Sequence, residues 1–277
     1  MKHLRISAIS YLNTVPLMWD FEHGEVSEAF DIAYTVPSQC AASLQQGSAD
    51  IGIIPAAAYC SVPGLVVIPD VAIASRRAVR SILLVSKVPL EKIVTVALDT
   101  SSMTSVALLK VLFAKFWGGA RQYSPMVPDI DQMLLTHDAA LLIGDPALQI
   151  DRSRYLSFDL AEEWIRFTGK PFVFAFWAVR QAAFKDTAVP DLAATFQQSR
   201  DHGLQPESID RIAREWSKQL AITESSVREY LTDNIHYFLD ADCLSGLRLF
   251  YHYAAEINAL PQIEPLRFLE TAKAVAS

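Results

Sequence analysis

The sequence is short of the features by which many activities are recognised. Cysteine occurs three times, at Cys40, Cys60 and Cys243. The odd number and wide spacing exclude a disulfide framework. No two cysteines are neighbours and no histidines pair at helical metal-ligand spacing, so zinc has no sequence support. No G-x-G-x-x-G follows a strand, no G-x-S-x-G occurs, and Gly169-Lys170 runs into Pro171 rather than a phosphate-binding loop. Neither a metal nor a nucleotide cofactor is therefore expected. No apolar run approaches the ~18 residues of a membrane span; Phe172–Val179 reads as a buried strand. Charge is also sparse, at 20% of residues with a net value of −7. Arg76, Arg77 and Arg80 form the densest basic group, too small to track a phosphate backbone. The expected partner is a small molecule, without nucleic acid or membrane, and the oligomeric state is not legible. Met1-Lys2-His3-Leu4-Arg5 leads straight into a strand pattern without a signal-peptide apolar region, which makes the cytoplasm the expected compartment.

What is present is apolar residue, 51% of a 277-residue chain, enough for a large core and about two domains. Strand-like runs fall at Leu4–Ile9, Asp31–Val36, Asp50–Ile54, Ser81–Val85, Ile93–Leu98, Ala139–Ile143 and Phe172–Val179. Helical periodicity falls at Pro16–Phe21, Ser38–Gln46, Pro55–Cys60, Thr104–Trp117 and Ile130–Thr136. This alternation predicts an α/β fold with sheets covered on both faces. From Thr187 the pattern is helical only, over Thr187–His202, Pro206–Leu220, Glu224–Leu231 and Ala241–Asn258, with Gly203 ending one helix and Thr223 opening another. A helical tail of that size must cover something. A discontinuous first lobe (residues 1–86 plus 181–277) and a second lobe (residues 87–180) follow, with crossings at Ser86–Pro89 and near Val179–Gln181. Leu44–Pro55 and Leu134–Pro146 are loosely alike, as a helix ending into a strand in each lobe would be.

Two corners carry the polar chemistry. Ser10-Tyr11-Leu12-Asn13-Thr14-Val15-Pro16 follows the first strand, and Thr100-Ser101-Ser102-Met103-Thr104-Ser105 follows a later one. A strand-to-helix corner exposes free N–H groups and a helix dipole, suited to a carboxylate or phosphate. Asn13 and Thr14, or the hydroxyls of the second corner, would equally serve as helix caps. Asp145 either caps the helix opened by Pro146 or lies where open α/β sheets place ligand groups, at the carboxyl end of a strand. Two anion-receptive corners on two lobes suggest a cleft closing on a small acidic molecule.

The Leu44-x-x-Gly47-x-x-Asp50 spacing before an apolar strand resembles the first lobe of type II periplasmic-binding-protein folds. With it stand Ser10–Pro16, Val79-Arg80-Ser81-x-x-Leu84-x-Ser86, Thr100–Ser105, Ile143–Leu148 and Pro171-Phe172-Val173-Phe174-Ala175-x-Trp177. This combination, over about residues 4 to 260, is similar to the chorismate dehydratase family of the futalosine route to menaquinone. Met103 departs from an arginine frequent in that family, and Ala78 from a glycine. The resemblance implies a two-lobed fold with a central cleft and a helical C-terminal region, and a cofactor-independent hydro-lyase. The implied reaction removes water from chorismate to give 3-[(1-carboxyvinyl)oxy]benzoate, with aromatisation as the driving force. It implies catalytic roles for Asn13, Ser81 and Asp145. Substrate binding would involve Ser10, Tyr11, Thr14, Thr100, Ser101, Ser102, Thr104 and Trp177, with Tyr11 and Trp177 as ring walls. The proton acceptor is either Asp145 or the substrate's own enolpyruvyl carboxylate, the latter preferred because the motifs contain so few titratable groups. The alternatives are the sister dihydroxynaphthoate synthase, whose catalytic histidine would fall where this chain has Gly144, and a non-catalytic small-anion binding protein.

Overall fold

The apolar runs Leu4–Ile9 and Ile51–Pro55 become inner strands of one sheet. A computed structural model describes residues 3–186 and 191–270. Its strands are β1 (Leu4–Ile9), β2 (Phe30–Thr35), β3 (Ile51–Pro55), β4 (Leu65–Ser75), β5 (Ile82–Ser86), β6 (Thr95–Asp99), β7 (Gln122–Met126), β8 (Ala139–Ile143), β9 (Leu156–Asp159) and β10 (Phe172–Arg180). They form two five-stranded sheets, ordered β2-β1-β3-β10-β4 and β7-β6-β8-β5-β9. In each, three parallel strands are joined by an antiparallel fourth, β10 or β5, which pairs with an antiparallel fifth. The two orders are the same pattern written twice. β3 and β8 occupy the same central place and are buried along their whole length, as continuous Ile/Leu/Ala runs in covered sheets must be. The likeness of Leu44–Pro55 to Leu134–Pro146 thus has a structural origin: a helix runs into the third parallel strand in both sheets.

The helices are α1 (Trp19–His23), α2 (Pro37–Gln46), α3 (Thr104–Leu112), α4 (Ile130–Thr136), α5 (Gly144–Leu148), α6 (Leu160–Thr168), α7 (Leu192–Gly203), α8 (Pro206–Leu220), α9 (Glu224–Glu229) and α10 (Ala241–Glu256). A short 3₁₀ helix, Leu12–Met18, follows β1 directly. One continuous apolar core runs through both sheets and the C-terminal helices, with a smaller cluster around Leu83, Met133 and Leu142 in the second lobe. The architecture is a two-lobed α/β fold.

Sheet membership moves both crossings from their expected places. β5 lies inside the second sheet and β10 inside the first, so the chain changes sheet at Arg76–Ser81 and again at Gly169–Pro171, one strand earlier each time. The reason is the swap of antiparallel strands: each crossing segment pairs with the sheet that it enters. The first crossing is pinned by Asp159, whose carboxylate accepts the N–H groups of Val79 (3.1 Å) and Arg80 (2.6 Å) and also caps α6. Of the expected helix Thr187–His202, residues 187–190 lie outside the described residues; α7 starts at Leu192, capped by Asp191. Thr223 caps α9, accepting from the Ser226 N–H at 3.0 Å.

Candidate active site

The carboxyl ends of β1, β3, β6 and β8 face one another across the gap between the sheets, the position where open α/β sheets bind ligands. The cleft there holds about 450 Å³ of atom-free space, part of it open to solvent. Its polar lining is Asn13 from the corner after β1, Ser81 from the first crossing, and Ser102, Thr104 and Ser105 from the start of α3. Tyr11, Met103 and Phe174 supply walls, and no charged side chain among the described residues lines it. The α3 N-terminus points its free N–H groups and positive dipole end at this space.

Neither corner uses a side chain as a cap. The residue at the cap position of the Leu12–Met18 helix is Tyr11, and that of α3 is Met103; neither makes a capping hydrogen bond. The Asn13 amide is thereby left for the cavity, with Thr14 Oγ1 donating to its Oδ1 at 3.4 Å. Ser81 is buried and accepts a hydrogen bond from the Tyr230 hydroxyl at 2.8 Å.

The lobes touch across the cleft. The Leu12 N–H donates to Asp145 Oδ1 at 3.0 Å, and the Tyr11 hydroxyl meets Ser101 Oγ at 3.3 Å. The Ser38 N–H donates to the Ser101 carbonyl at 3.1 Å. Thr104 Oγ1 accepts from the Ala57 N–H at 3.1 Å and donates to the Phe174 carbonyl at 3.0 Å. Ser101 is itself held by Asp99, which accepts both its N–H (2.8 Å) and its hydroxyl (2.6 Å). Burial raises the Asp99 carboxyl above its usual range, against the pull of those hydrogen bonds. Burial likewise raises Asp145 to about 6, only partly offset by the Leu12 N–H.

The implied site residues therefore separate. Asn13, Ser81, Tyr11, Ser102 and Thr104 line the cavity. Asp145 lies beside it, engaged with Leu12, and Ser101 forms part of the contact between lobes. Ser10 and Thr14 line a neighbouring vestibule with Trp19, Tyr34 and Trp216, and Tyr11 borders both spaces. Thr100 is exposed, and its carbonyl accepts from Ser38 Oγ at 3.3 Å. Trp177 is no ring wall: it is fully buried in the core against Phe196, with ring centroids 4.8 Å apart. Strand alternation explains this, since side chains on β10 alternate between the sheet's two faces. Phe174 takes the cleft-facing place instead.

Two site residues lay outside the sequence motifs. Tyr230, on the helical tail, reads as an apolar-face residue, and nothing in the local pattern marks its contact with Ser81. Asp99 closes an apolar strand two residues before Ser101, an Asx-turn spacing that could have marked it.

Among the described residues, His236, Asp240 and Cys243 could together hold a metal, their ligand atoms lying within 4.8 Å of one another. The Arg76 guanidinium, however, sits on Asp240 at 2.7 Å, and Asp240 caps α10. The cluster is an ion-paired helix start. No helix among the described residues is long and apolar enough to cross a membrane.

Known proteins share these features. A curated chorismate dehydratase of Thermus thermophilus is 28% identical over 269 residues, covering 91% of this chain and 93% of that protein. A solved protein of Archaeoglobus fulgidus superposes with a TM-score of 0.69 at 14% identity, over 92% of this chain and 97% of that one. The periplasmic aliphatic sulphonate binding protein of Escherichia coli does so with a TM-score of 0.65 at 17% identity, over 100% and 96%. These two likenesses place the fold among the periplasmic-binding-protein-like structures. A family model described as menaquinone biosynthesis matches residues 4–256, the full span of both sheets and the helices that cover them, and the chain belongs to that family.

Proposed function

We propose that this protein is a chorismate dehydratase, a cytoplasmic hydro-lyase that converts chorismate to 3-[(1-carboxyvinyl)oxy]benzoate and water without a cofactor. The observation that carries the reading is the cavity lining: neutral donors and a helix N-terminus around apolar walls, with no charged side chain among them. Preorganised neutral donors suit a dianion, holding its carboxylates without a counter-charge that must reorganise. The T. thermophilus relative carries the same activity in its name.

The elimination breaks the C–H bond at the ether-bearing ring carbon. Its electron pair becomes the new ring double bond, and the neighbouring C–O bond breaks. The departing hydroxyl takes up the proton removed from the ring carbon, handed on by its acceptor, so one water leaves and the acceptor is restored. Aromatisation supplies the driving force, so the protein must chiefly hold two carboxylates and the ring. Asn13 and Ser81 are assigned to the reacting end, and Ser102 and Ser105 with the α3 N–H groups to a carboxylate, while Thr104, whose proton goes to the Phe174 carbonyl, fixes that corner in place. No carboxylate, histidine or lysine among the described residues lines the cavity, and burial keeps the Tyr11 phenol protonated, so the substrate's own enolpyruvyl carboxylate is the proton acceptor that this geometry supports. Asp145 would act from outside, through Leu12.

Gly144 favours this reaction over that of the sister synthase. It has φ +63°, and a Cβ there would lie 2.4 Å from the Tyr11 ring, so a histidine has no room. The deciding experiment incubates purified protein with chorismate and follows the appearance of a benzoate-type ultraviolet spectrum, with product identified by mass. Binding without turnover would reduce the protein to a small-anion receptor.

A further inference from the structure

We propose that Tyr230 is a positioning residue that fixes the Ser81 hydroxyl as a donor into the cavity; the inference rests on the dehydratase reading above. Tyr230 opens a π-helical turn, Tyr230–Asn234, at the end of α9, a distortion frequent at functional sites. That turn is fastened to the first crossing. Asn234 Nδ2 donates to the Ala78 carbonyl at 2.9 Å, and Ser75 Oγ donates to the Asn234 carbonyl at 2.8 Å. The phenol is therefore held against Ser81 by the same segment that links the lobes.

The proton count gives the inference its direction. A serine hydroxyl has one proton and two lone pairs. Ser81 Oγ accepts from Tyr230 and makes no other hydrogen bond among the described residues. Its proton is thus left for an oxygen entering the cavity that Ser81 lines. Tyr230 and Ser81 thus form a two-hydroxyl chain whose last donor faces the cavity that Asn13 also lines. Hydrogen bonds in such a chain polarise one another. Burial pushes the phenol well above its ordinary value, which keeps it a donor at any working pH.

The test is a double-mutant cycle on chorismate turnover with Tyr230→Phe, Ser81→Ala and their combination, beside Tyr237→Phe as a control. Tyr237 is a buried neighbour whose hydroxyl has no hydrogen-bond partner among the described residues. Tyr230→Phe should lower kcat by about tenfold, the scale of one hydrogen bond, with a smaller change in KM and an unchanged melting temperature. The double variant should be no slower than Ser81→Ala alone, because coupled residues are non-additive. Tyr237→Phe should behave as wild type. 3-Fluorotyrosine at position 230 keeps the donor and should retain turnover even if the phenylalanine variant folds poorly. Wild-type kinetics in Tyr230→Phe, additive losses in the cycle, or failure of 3-fluorotyrosine to retain turnover would overturn the positioning role while leaving the dehydratase reading intact. A wild-type protein inert toward chorismate would remove that reading, and this inference with it.

Discussion

At the scale of single residues, Asn13 and Asp145 divide the labour that sequence reasoning had pooled. Asn13 caps nothing, so its replacement should be felt by the ligand rather than by the fold. Asn13→Asp sets a negative charge against a dianion inside a partly enclosed cavity, where charge repulsion is screened less than in bulk water. Turnover is expected to fall by more than ~100-fold, with a melting temperature close to wild type; parallel loss of both, measured by absorbance assay and thermal scan, would make Asn13 structural. Asp145→Asn should keep substantial turnover, because the Asn oxygen can still accept the Leu12 N–H and the proton acceptor lies on the substrate. Its stability should depend on pH in a stated direction. The folded carboxyl titrates near 6, above its usual 3.8, so the folded state binds the extra proton and stability falls as pH rises from about 4 through 6. Asp145→Asn should therefore melt higher than wild type at pH 8 and converge with it near pH 4. A wild-type protein that gains stability over that interval from this residue would reverse the assignment.

At the scale of elements, much of the fold was legible, and the omissions share a cause. The strands read from continuous apolar runs or alternation, β1, β3, β8 and β10 among them, lie where expected to within a residue or two. β4 was missed because Pro69 and Asp70 interrupt it, Asp70 with φ 63°, although it continues through that irregularity for 11 residues. β7 and β9 are short edge strands, and β7 carries Pro125, which only an edge tolerates. α6 carries readable signals in its sequence: Asp159 caps it, two glutamates open it, and Leu160, Ala161 and Trp164 form its buried face. Of the site, the two corners could be read because hydroxyl and amide clusters stand out locally. Tyr230 could not, since its partner is 149 residues away. Gly203 was read as a helix terminator, and it does end α7, yet its role is close approach: a Cβ there would lie 1.9 Å from the Pro16 carbonyl oxygen. Gly203→Ala should push α7 off the Leu12–Met18 helix, costing about 1–3 kcal/mol by overpacking. Denaturant titration should show that loss, and activity should drop with it, because the displaced helix carries Asn13. An alanine variant with unchanged stability would show that the packing yields there at no cost.

At the scale of the whole molecule, two sheets of one pattern exchange their antiparallel strands, share an apolar core and meet over a cleft that several hydrogen bonds bridge. Ser101 is central to that contact, bound to Asp99 on its own lobe and to Tyr11 and Ser38 on the other. Ser101→Ala removes the Tyr11 contact and deprives buried Asp99 of its hydroxyl donor. The population should shift toward an open form, read as a larger radius of gyration by X-ray scattering and a raised KM, since only the closed fraction binds productively. Scattering and KM identical to wild type would mean that closure is held elsewhere, by Thr104 and the Leu12–Asp145 bond.

The distribution of tryptophan has a practical consequence for watching this protein work. Of five tryptophans, Trp164 and Trp177 are sealed in the core, and Trp117 packs against Phe113 and Phe158. Trp19 and Trp216 alone line the vestibule outside Tyr11, and none lines the cavity. Intrinsic fluorescence in a stopped-flow experiment should therefore report passage at the threshold, while the chemical step stays dark in that channel and visible only in the absorbance of the ring being formed. Two optical signals from one mixing would then time arrival and reaction separately, without a label.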